Sequence, residues 1–338
     1  MKPQKWISLF RVVFIFFMGI AGCAGSNSDL LFFRGKTVTI IVTNGPGGMD
    51  TYARMVAPYL QKYLPGAKVE VKNVPDGGGI IGRNEIYAAQ PDGLTLGFTT
   101  SAGALLAEWA EQPDVKYKTA NFSYIGRINA EANIMVVSPK TGFKTLADVI
   151  RAGKISMGFS GVGSDDYYMA LITAHILGYQ VDAHMGFMGI NDASLACVRG
   201  DVDAILFSES SVQPQIEAQT VVPVVSFSEQ RTPVLPNVPT IFETIPPDKR
   251  ALMQTLVRIY ALDRVLIAPP NMPAGRLNVL RTALDRAVAD PEFLENMAKI
   301  KRPVHYSSGA DTAQLLASIM RNEDQIQPLV IEIAQNSH

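Results

Sequence analysis

Residues 74–84 read Val-Pro-Asp-Gly-Gly-Gly-Ile-Ile-Gly-Arg-Asn, and Gly77, Gly79 and Gly82 within them satisfy G-x-G-x-x-G. That pattern cradles a dinucleotide when it follows a strand, opens a helix, and is joined by an acid about 20 residues on that holds the ribose. A strand-like run (68–74) precedes these glycines and a helix-like stretch follows them. The next strand-like run, Thr95–Thr100, however, leads into Ser101-Ala102-Gly103-Ala104 without an acid. The nearest, Asp92, lies in the turn before it. The dinucleotide reading fails on this point, and no Gly-rich turn carries the G-K-[ST] ending of a P-loop.

Three glycine turns make better sense together. Asn44-Gly45-Pro46-Gly47-Gly48-Met49-Asp50 joins the first strand to the first helix, with Asp50 as the expected N-cap. Asp76–Gly82 is the second. Ser160-Gly161-Val162-Gly163-Ser164 is the third, leading to a helix capped by Ser164. Glycine there lets backbone approach a guest closely. The free N–H groups of a helix start, with roughly half a positive charge, can hold a carboxylate without Lys or Arg. Tight turns of any α/β protein use the same residues.

Other chemistry lacks its parts. His175, His184, His305 and His338 show no metal spacing. The pairs Asp165/Asp166 and Asp201/Asp203 have no adjoining nucleophile, and Ser164 in Gly-Val-Gly-Ser-Asp is not a nucleophile elbow. Cys197, flanked by apolar residues in a helix-like stretch (Asp192–Arg199), reads as a small buried hydrophobe. Trp109, Tyr167, Tyr168 and Phe187 read as core or cleft wall. No metal, no cofactor and no enzyme are expected.

These turns need elements to hold them. Strand-like runs at 37–43, 68–74, 95–100, 133–138, 155–160, 203–208, 221–227 and 264–269 alternate with helical stretches, notably 51–64, 164–177, 273–289 and a last one from near Asp311. Such alternation predicts α/β architecture with mostly parallel sheets. At 338 residues the chain is long enough for two lobes, and its 47% hydrophobic and 18% charged content is that of an ordinary globular protein. A net charge of −1 without a basic run argues against nucleic acid.

The first 22 residues differ from the rest. Lys2, Lys5 and Arg11 precede the apolar run Val12–Ile20, and Ala21 and Gly22 follow. This reads as an export signal, its nine apolar residues too few for a bilayer-spanning helix, which needs about 20. Ile20-Ala21-Gly22-Cys23 resembles the bacterial lipobox, which implies lipidation of Cys23 and a membrane-anchored periplasmic protein. Removal of residues 1–22 leaves a net charge of about −4, and a lipidated Cys23 leaves Cys197 without a disulfide partner.

Seven motifs in order resemble the extracytoplasmic solute receptors of tripartite tricarboxylate transporters, the Bug family. They are Gly-Pro-Gly-Gly-x-Asp-Thr-Tyr-Ala-Arg (45–54), Asn-Val-Pro-x-Gly-Gly-Gly-x-x-Gly (73–82), Pro-Asp-Gly-Leu-Thr-Leu-Gly (91–97), Phe-Ser-Gly-Val-Gly-Ser (159–164), Arg-Gly-Asp-Val-Asp-Ala (199–204), and the runs 231–240 and 267–273. The similarity spans about residues 36–320. It implies a two-lobed, periplasmic-binding-protein-like (type II) α/β fold with a ligand cleft between lobes, here 36–132 plus 258–338 and 133–257, after a 23–35 linker. It also implies capture of a small organic acid by a monomer, and delivery to the membrane subunits of a transporter. By this resemblance Asn44, Gly45, Gly47, Gly48 and Asp50 hold one end of the ligand, and Ser160, Gly161, Gly163, Ser164 and Asp165 the other. Gly79, Gly82, Ser101, Phe187 and Gly189 line the cleft.

Two departures stand out. Only Met49 separates Gly48 from Asp50 where the family often has two residues, and Thr43-Asn44 replaces a common Pro-Phe. Asp165-Asp166 stand where many members have neutral or histidine residues. Acids in a first helical turn satisfy the helix dipole themselves, so they would compete with an anionic guest or favour one with a neutral or amino end. Since Asp is seldom buried, both are expected to face solvent. The alternatives to transport are a sensor for a membrane partner and a periplasmic hydrolase or isomerase, the latter without a catalytic set.

Overall fold

A computed structural model describes residues 27–336; the expected export signal and Cys23 lie outside them. Among the described residues the strands are β1 (Thr37–Val42), β2 (Lys68–Asn73), β3 (Thr95–Thr99), β4 (Ser123–Arg127), β5 (Asn133–Val137), β6 (Lys154–Phe159), β7 (Gln180–Met185), β8 (Ala204–Ser208), β9 (Val222–Phe227), β10 (Val265–Ala268) and β11 (Ser307–Ser308). They form two sheets, ordered β11-β4-β10-β3-β1-β2 and β7-β6-β8-β5-β9. β1 runs parallel to β2 and β3, and β6 runs parallel to β7 and β8.

The expected parallel order is broken once in the body of each sheet. β10 is antiparallel to β3 and β4, and β5 is antiparallel to β8 and β9. Connectivity explains both. The chain leaves the first sheet after β4 and enters the second at β5, then returns at β10. A strand that enters a sheet from the other lobe starts at the edge where the resident parallel strands end.

Period-two burial distributes the core. Ile40 and Leu266 join one apolar cluster with Val56, Leu60, Leu280 and Leu284, beneath helices Gly48–Tyr63 and Ala274–Val288. Ile134, Val136 and Ile205 join another with Ala193, Ala196 and Cys197. Burial pushes the Cys197 thiol up to about 12, in line with a packing role. The neighbours on the opposite faces, Ile41 and Ile267 of one sheet and Met135 and Met157 of the other, share a single cluster that joins the lobes.

Two helices carry that junction. Ser101–Trp109 and Asp165–Leu177 are apolar nearly all round and pack on one another, and the last helix, Gln327–Asn336, lies across both. A helix without a polar face is buried on every side. Trp109, Tyr167 and Tyr168 are part of this core.

Candidate ligand-binding site

The parallel strands β1, β3, β6 and β8 all end at the edge between the lobes, and the reversed strands β5 and β10 begin there. A cavity of about 80 Å³ lies at that edge, lined from the first lobe by Asn44, Gly45, Gly47, Gly48, Met49, Pro75, Thr100, Asp263 and Arg264. The second lobe adds Asn133, Ser160, Asp165, Asp166, Gly189, Ile190, Leu206, Phe207, Ser208 and Ser211. Crevices beyond the carboxyl ends of strands are where open α/β sheets bind ligands. Five helices begin at this wall: Gly48–Tyr63, Ser101–Trp109, Asp165–Leu177, Ile190–Arg199 and Glu209–Glu217. A helix N-terminus carries about half a positive charge, but two of these are partly answered within the protein: the Ser101 and Ala102 N–H groups donate to the Leu262 carbonyl, and those of Glu209 and Ser210 donate to the Ala132 carbonyl and Glu131.

The glycine turns do more than line it. A Cβ on Gly45 would overlap the Met188 carbonyl oxygen, and one on Gly47 would stand 2.6 Å from Ile190 Cγ2. A Cβ on Gly78 would stand 2.5 Å from the Ser164 nitrogen, and one on Gly161 2.7 Å from the Gly78 nitrogen. The Gly163 N–H donates to the Gly77 carbonyl across the cleft at 3.1 Å. Gly45, Gly78 and Gly161 therefore admit the backbone of the opposite lobe, and Gly47 admits the Ile190 side chain. Arg83, fully buried, reinforces the seam: its Nη1 donates to the Gly163 carbonyl (3.0 Å) and its Nε to Thr99 Oγ1 (3.1 Å).

Behind the first turn, Asp50 is occupied. It accepts from Arg54 Nε (2.9 Å) and Asn73 Nδ2 (2.9 Å), and the same Asn73 amide donates to the Asn44 carbonyl (2.9 Å). The N-cap is Gly47 rather than Asp50, because the helix starts at Gly48 and places Asp50 inside its first turn. Ser164 holds the N-cap position of its helix, yet its hydroxyl donates to the Gly161 carbonyl (2.8 Å) and caps no N–H.

Arg264 is the charged centre of the wall. It is buried, pairs with Glu131 at 2.7 Å and with Asp263, donates to Ser208 Oγ at 2.8 Å, and stacks over the Tyr52 ring. Its φ of 48° is one that non-glycine residues seldom adopt. Glu131 in turn accepts from the Ser210 N–H (2.9 Å) and hydroxyl (2.7 Å), so both crossing segments are tied to the start of a second-lobe helix. Burial draws the Arg264 pKa down, and the surrounding Asp263, Glu131, Tyr52 and Asp165 raise it further than that.

Asp165 and Asp166 do not face solvent. Both line the cavity, with Asp165 half-buried and Asp166 buried. The apolar helix that carries them is clamped between the lobes, which draws its first turn inward. Burial, with Asp165 beside it, pushes the Asp166 carboxyl up to about 7. Burial also raises Asp165, and it raises Asp263 to about 6 against the pull of Arg264. A carboxyl raised from its ordinary 3.8 binds its proton more tightly in the folded state than in the unfolded chain. Its contribution to stability is full below about pH 4 and is lost as pH rises through the folded value, at no more than about 1.4 kcal/mol per pH unit per group. The ligand-free protein is expected to lose Tm between pH 5.5 and 7.5, and Asp166→Asn to flatten that loss. Parallel Tm–pH curves for the two proteins would contradict it.

Of the residues singled out in the sequence, Asn44, Gly45, Gly47, Gly48, Ser160, Asp165 and Gly189 meet at the cavity. Asp50, Gly79, Gly82, Ser101, Gly161, Gly163, Ser164 and Phe187 stand outside its lining. Gly79 and Gly82 lie against Thr43 and Val74 of their own lobe, the Ser101 N–H donates to the Leu262 carbonyl (2.8 Å), and the Phe187 ring lies over Gly158. Sequence reasoning missed Arg264, Asp263, Thr100, Asn133, Ser208 and Ser211. Arg83 had a signal, since it sits inside the 73–84 motif. Among the described residues, no group of three or more His, Cys, Asp or Glu is arranged to hold a metal.

The profile of the tripartite tricarboxylate transporter family receptors, TctC, matches residues 52–331. The chain belongs to this receptor family. Its members are solute receptors, not enzymes. The chain is 26% identical over 315 residues to the UPF0065 protein in the tcbD-tcbE intergenic region of Pseudomonas sp. (strain P51), covering 90% of this TctC-family chain and 89% of that one. The solved periplasmic binding protein BugD superposes with a TM-score of 0.72 at 20% identity, over 89% of this chain and 98% of that one. MatC from Rhodopseudomonas palustris, solved with bound malate, superposes with a TM-score of 0.71 at 21% identity, over 88% and 99%. The fold of this TctC-family receptor is thus the two-lobed periplasmic-binding type. No described helix is long and apolar enough to cross a membrane.

Proposed function

We propose that this TctC-family receptor captures a small organic acid between its lobes and delivers it to the membrane subunits of a tripartite transporter. The observation that carries this reading is the convergence of five helix N-termini from both lobes on one cavity. Partial positive charge from fixed backbone N–H groups suits a carboxylate that must be held and then released. The malate in MatC supports an acid as guest. Segments 36–132 plus 258–338 and 133–257 would act as the closing lobes, with Asn44–Gly48 and Ser160–Asp165 as the facing grips. Asp50, Gly79, Gly82, Ser101, Gly161, Gly163, Ser164 and Phe187 would shape those grips from behind. Cys23 would carry the lipid anchor, and a Cys23→Ser protein found still in the membrane fraction would exclude that.

The size of the cavity limits the guest. One water needs about 10–15 Å³ of such volume, so about 80 Å³ holds roughly five to eight water-sized groups. The test is a thermal-shift screen of the mature protein against mono-, di- and tricarboxylates, with calorimetry on any hit. A ligand at 100 times its Kd adds about 2.7 kcal/mol of stability. Silence across short-chain acids, amino-bearing ones included, would exclude the cavity as an acid site.

A further inference from the structure

A second cavity, of about 430 Å³ against about 80 Å³ for the cleft, shares no lining residue with it. The Glu131–Arg264 pair stands between the two, since Arg264 lines the cleft and Glu131 the second cavity. The start of helix Glu209–Glu217 divides them likewise: Ser208 and Ser211 line the cleft, and Glu209, Ser210 and Gln213 the second cavity. The other wall comes from the first lobe, from Leu294, Met297 and Ala298 of helix Pro291–Lys299 and from the segment 301–304 after it. Two bonds span the lobes here. Lys301 Nζ pairs with Glu217 at 2.9 Å, and Arg302 Nη1 donates to Ser210 Oγ at 2.8 Å.

The lining leaves apolar surface open to water: Val234 of the second lobe is 49% exposed and Leu294 of the first 42%. Of its four charged groups, three are engaged. Glu131 holds Arg264 and Ser210, Glu209 accepts from the Thr232 hydroxyl, and Lys301 is paired with Glu217. Arg302 is the fourth. It is half-buried and bonded to a neutral hydroxyl, and among the described residues no carboxylate lies within ion-pair distance of it. Burial draws its pKa down, Arg264 draws it further, and Glu131 does not make up the difference. A guanidinium partly withdrawn from water calls for an anion, and its planar fork of donors fits a carboxylate. We propose that this cavity is a second ligand site, outside the cleft, for a single-chain amphiphilic anion. Its carboxylate meets Arg302, and its hydrocarbon chain covers Val234, Leu294 and Met297. An ammonium head would bring like charge to Arg302 and Lys301.

Decanoate and decylammonium carry the same chain with opposite heads, and ten carbons exceed the roughly five to eight water-sized groups that the cleft holds. Each is titrated calorimetrically into the mature protein, below its micellar concentration. Decanoate is expected to bind about 10-fold or more tightly than decylammonium. Arg302→Gln, which keeps a donor for Ser210, is expected to weaken decanoate about 10-fold or more and so to remove the preference. Ala298→Trp, at an exposed helix position, fills the cavity and is expected to weaken decanoate at least as much, with a Tm within a few degrees of wild type. Equal or tighter binding of decylammonium would overturn the anionic assignment, as would wild-type affinity of Arg302→Gln for decanoate. Undiminished binding by Ala298→Trp would place the probe elsewhere and end the proposal, and so would silence from the wild-type protein. Should Arg302→Gln not fold, the wild-type ratio and Ala298→Trp decide.

Discussion

Gly45→Ala should raise the Kd of any ligand that needs the closed cleft by about 100-fold or more, equivalent to about 2.7 kcal/mol, while the ligand-free protein melts within a few degrees of wild type. The new methyl would overlap the Met188 carbonyl oxygen, and the three nearest atoms it would meet all belong to Met188, on the opposite lobe. Gly45 is not among the residues with positive φ, so alanine carries no backbone penalty there. The substitution therefore acts on the contact between lobes and spares the lobe itself. Backbone cannot give way as a flexible side chain can, so the lobes must stand apart and the second set of helix N-termini is lost to the ligand. Calorimetric titration paired with thermal melting separates the two effects. Binding within threefold of wild type would show that Gly45 and Met188 need not meet in the bound form.

The second large effect is expected at Arg264. Among the described residues, Arg264→Ala removes the only countercharge within ion-pair distance of Glu131 and Asp263, two carboxylates largely hidden from water. Breaking a buried pair from one side costs about 3–5 kcal/mol, because the charge left behind is neither solvated nor matched. A loss of that size lowers Tm by on the order of 10 °C in a protein of this length. Adding Glu131→Gln to Arg264→Ala is expected to restore a good part of it, since the amide removes the stranded charge and still accepts from the Ser210 N–H. Chemical denaturation of the single and double variants measures both. An Arg264→Ala protein as stable as wild type would mean that water reaches Glu131 and Asp263 freely.

The boundary between what was legible in the chain and what was not follows the range of the interactions. The βα alternation, the starts and ends of most strands to within a residue or two, the three glycine turns and the packing role of Cys197 are written in neighbouring residues. They depend on steric preference, side-chain period and turn chemistry, all of which act over a few positions. Helix Ser101–Trp109 left no such trace, because a helix buried on every side has no polar face to mark its period. The reversed strands were equally silent: nothing near Asp263 and Arg264 says that β10 enters its sheet backwards and so delivers both to the cavity. The same holds for Asp166, whose local context is that of an ordinary exposed first turn. Its burial comes from two lobes closing on the helix that carries it, and only the assembled fold determines which backbone each glycine meets, which charge each carboxylate faces, and how far each is removed from water.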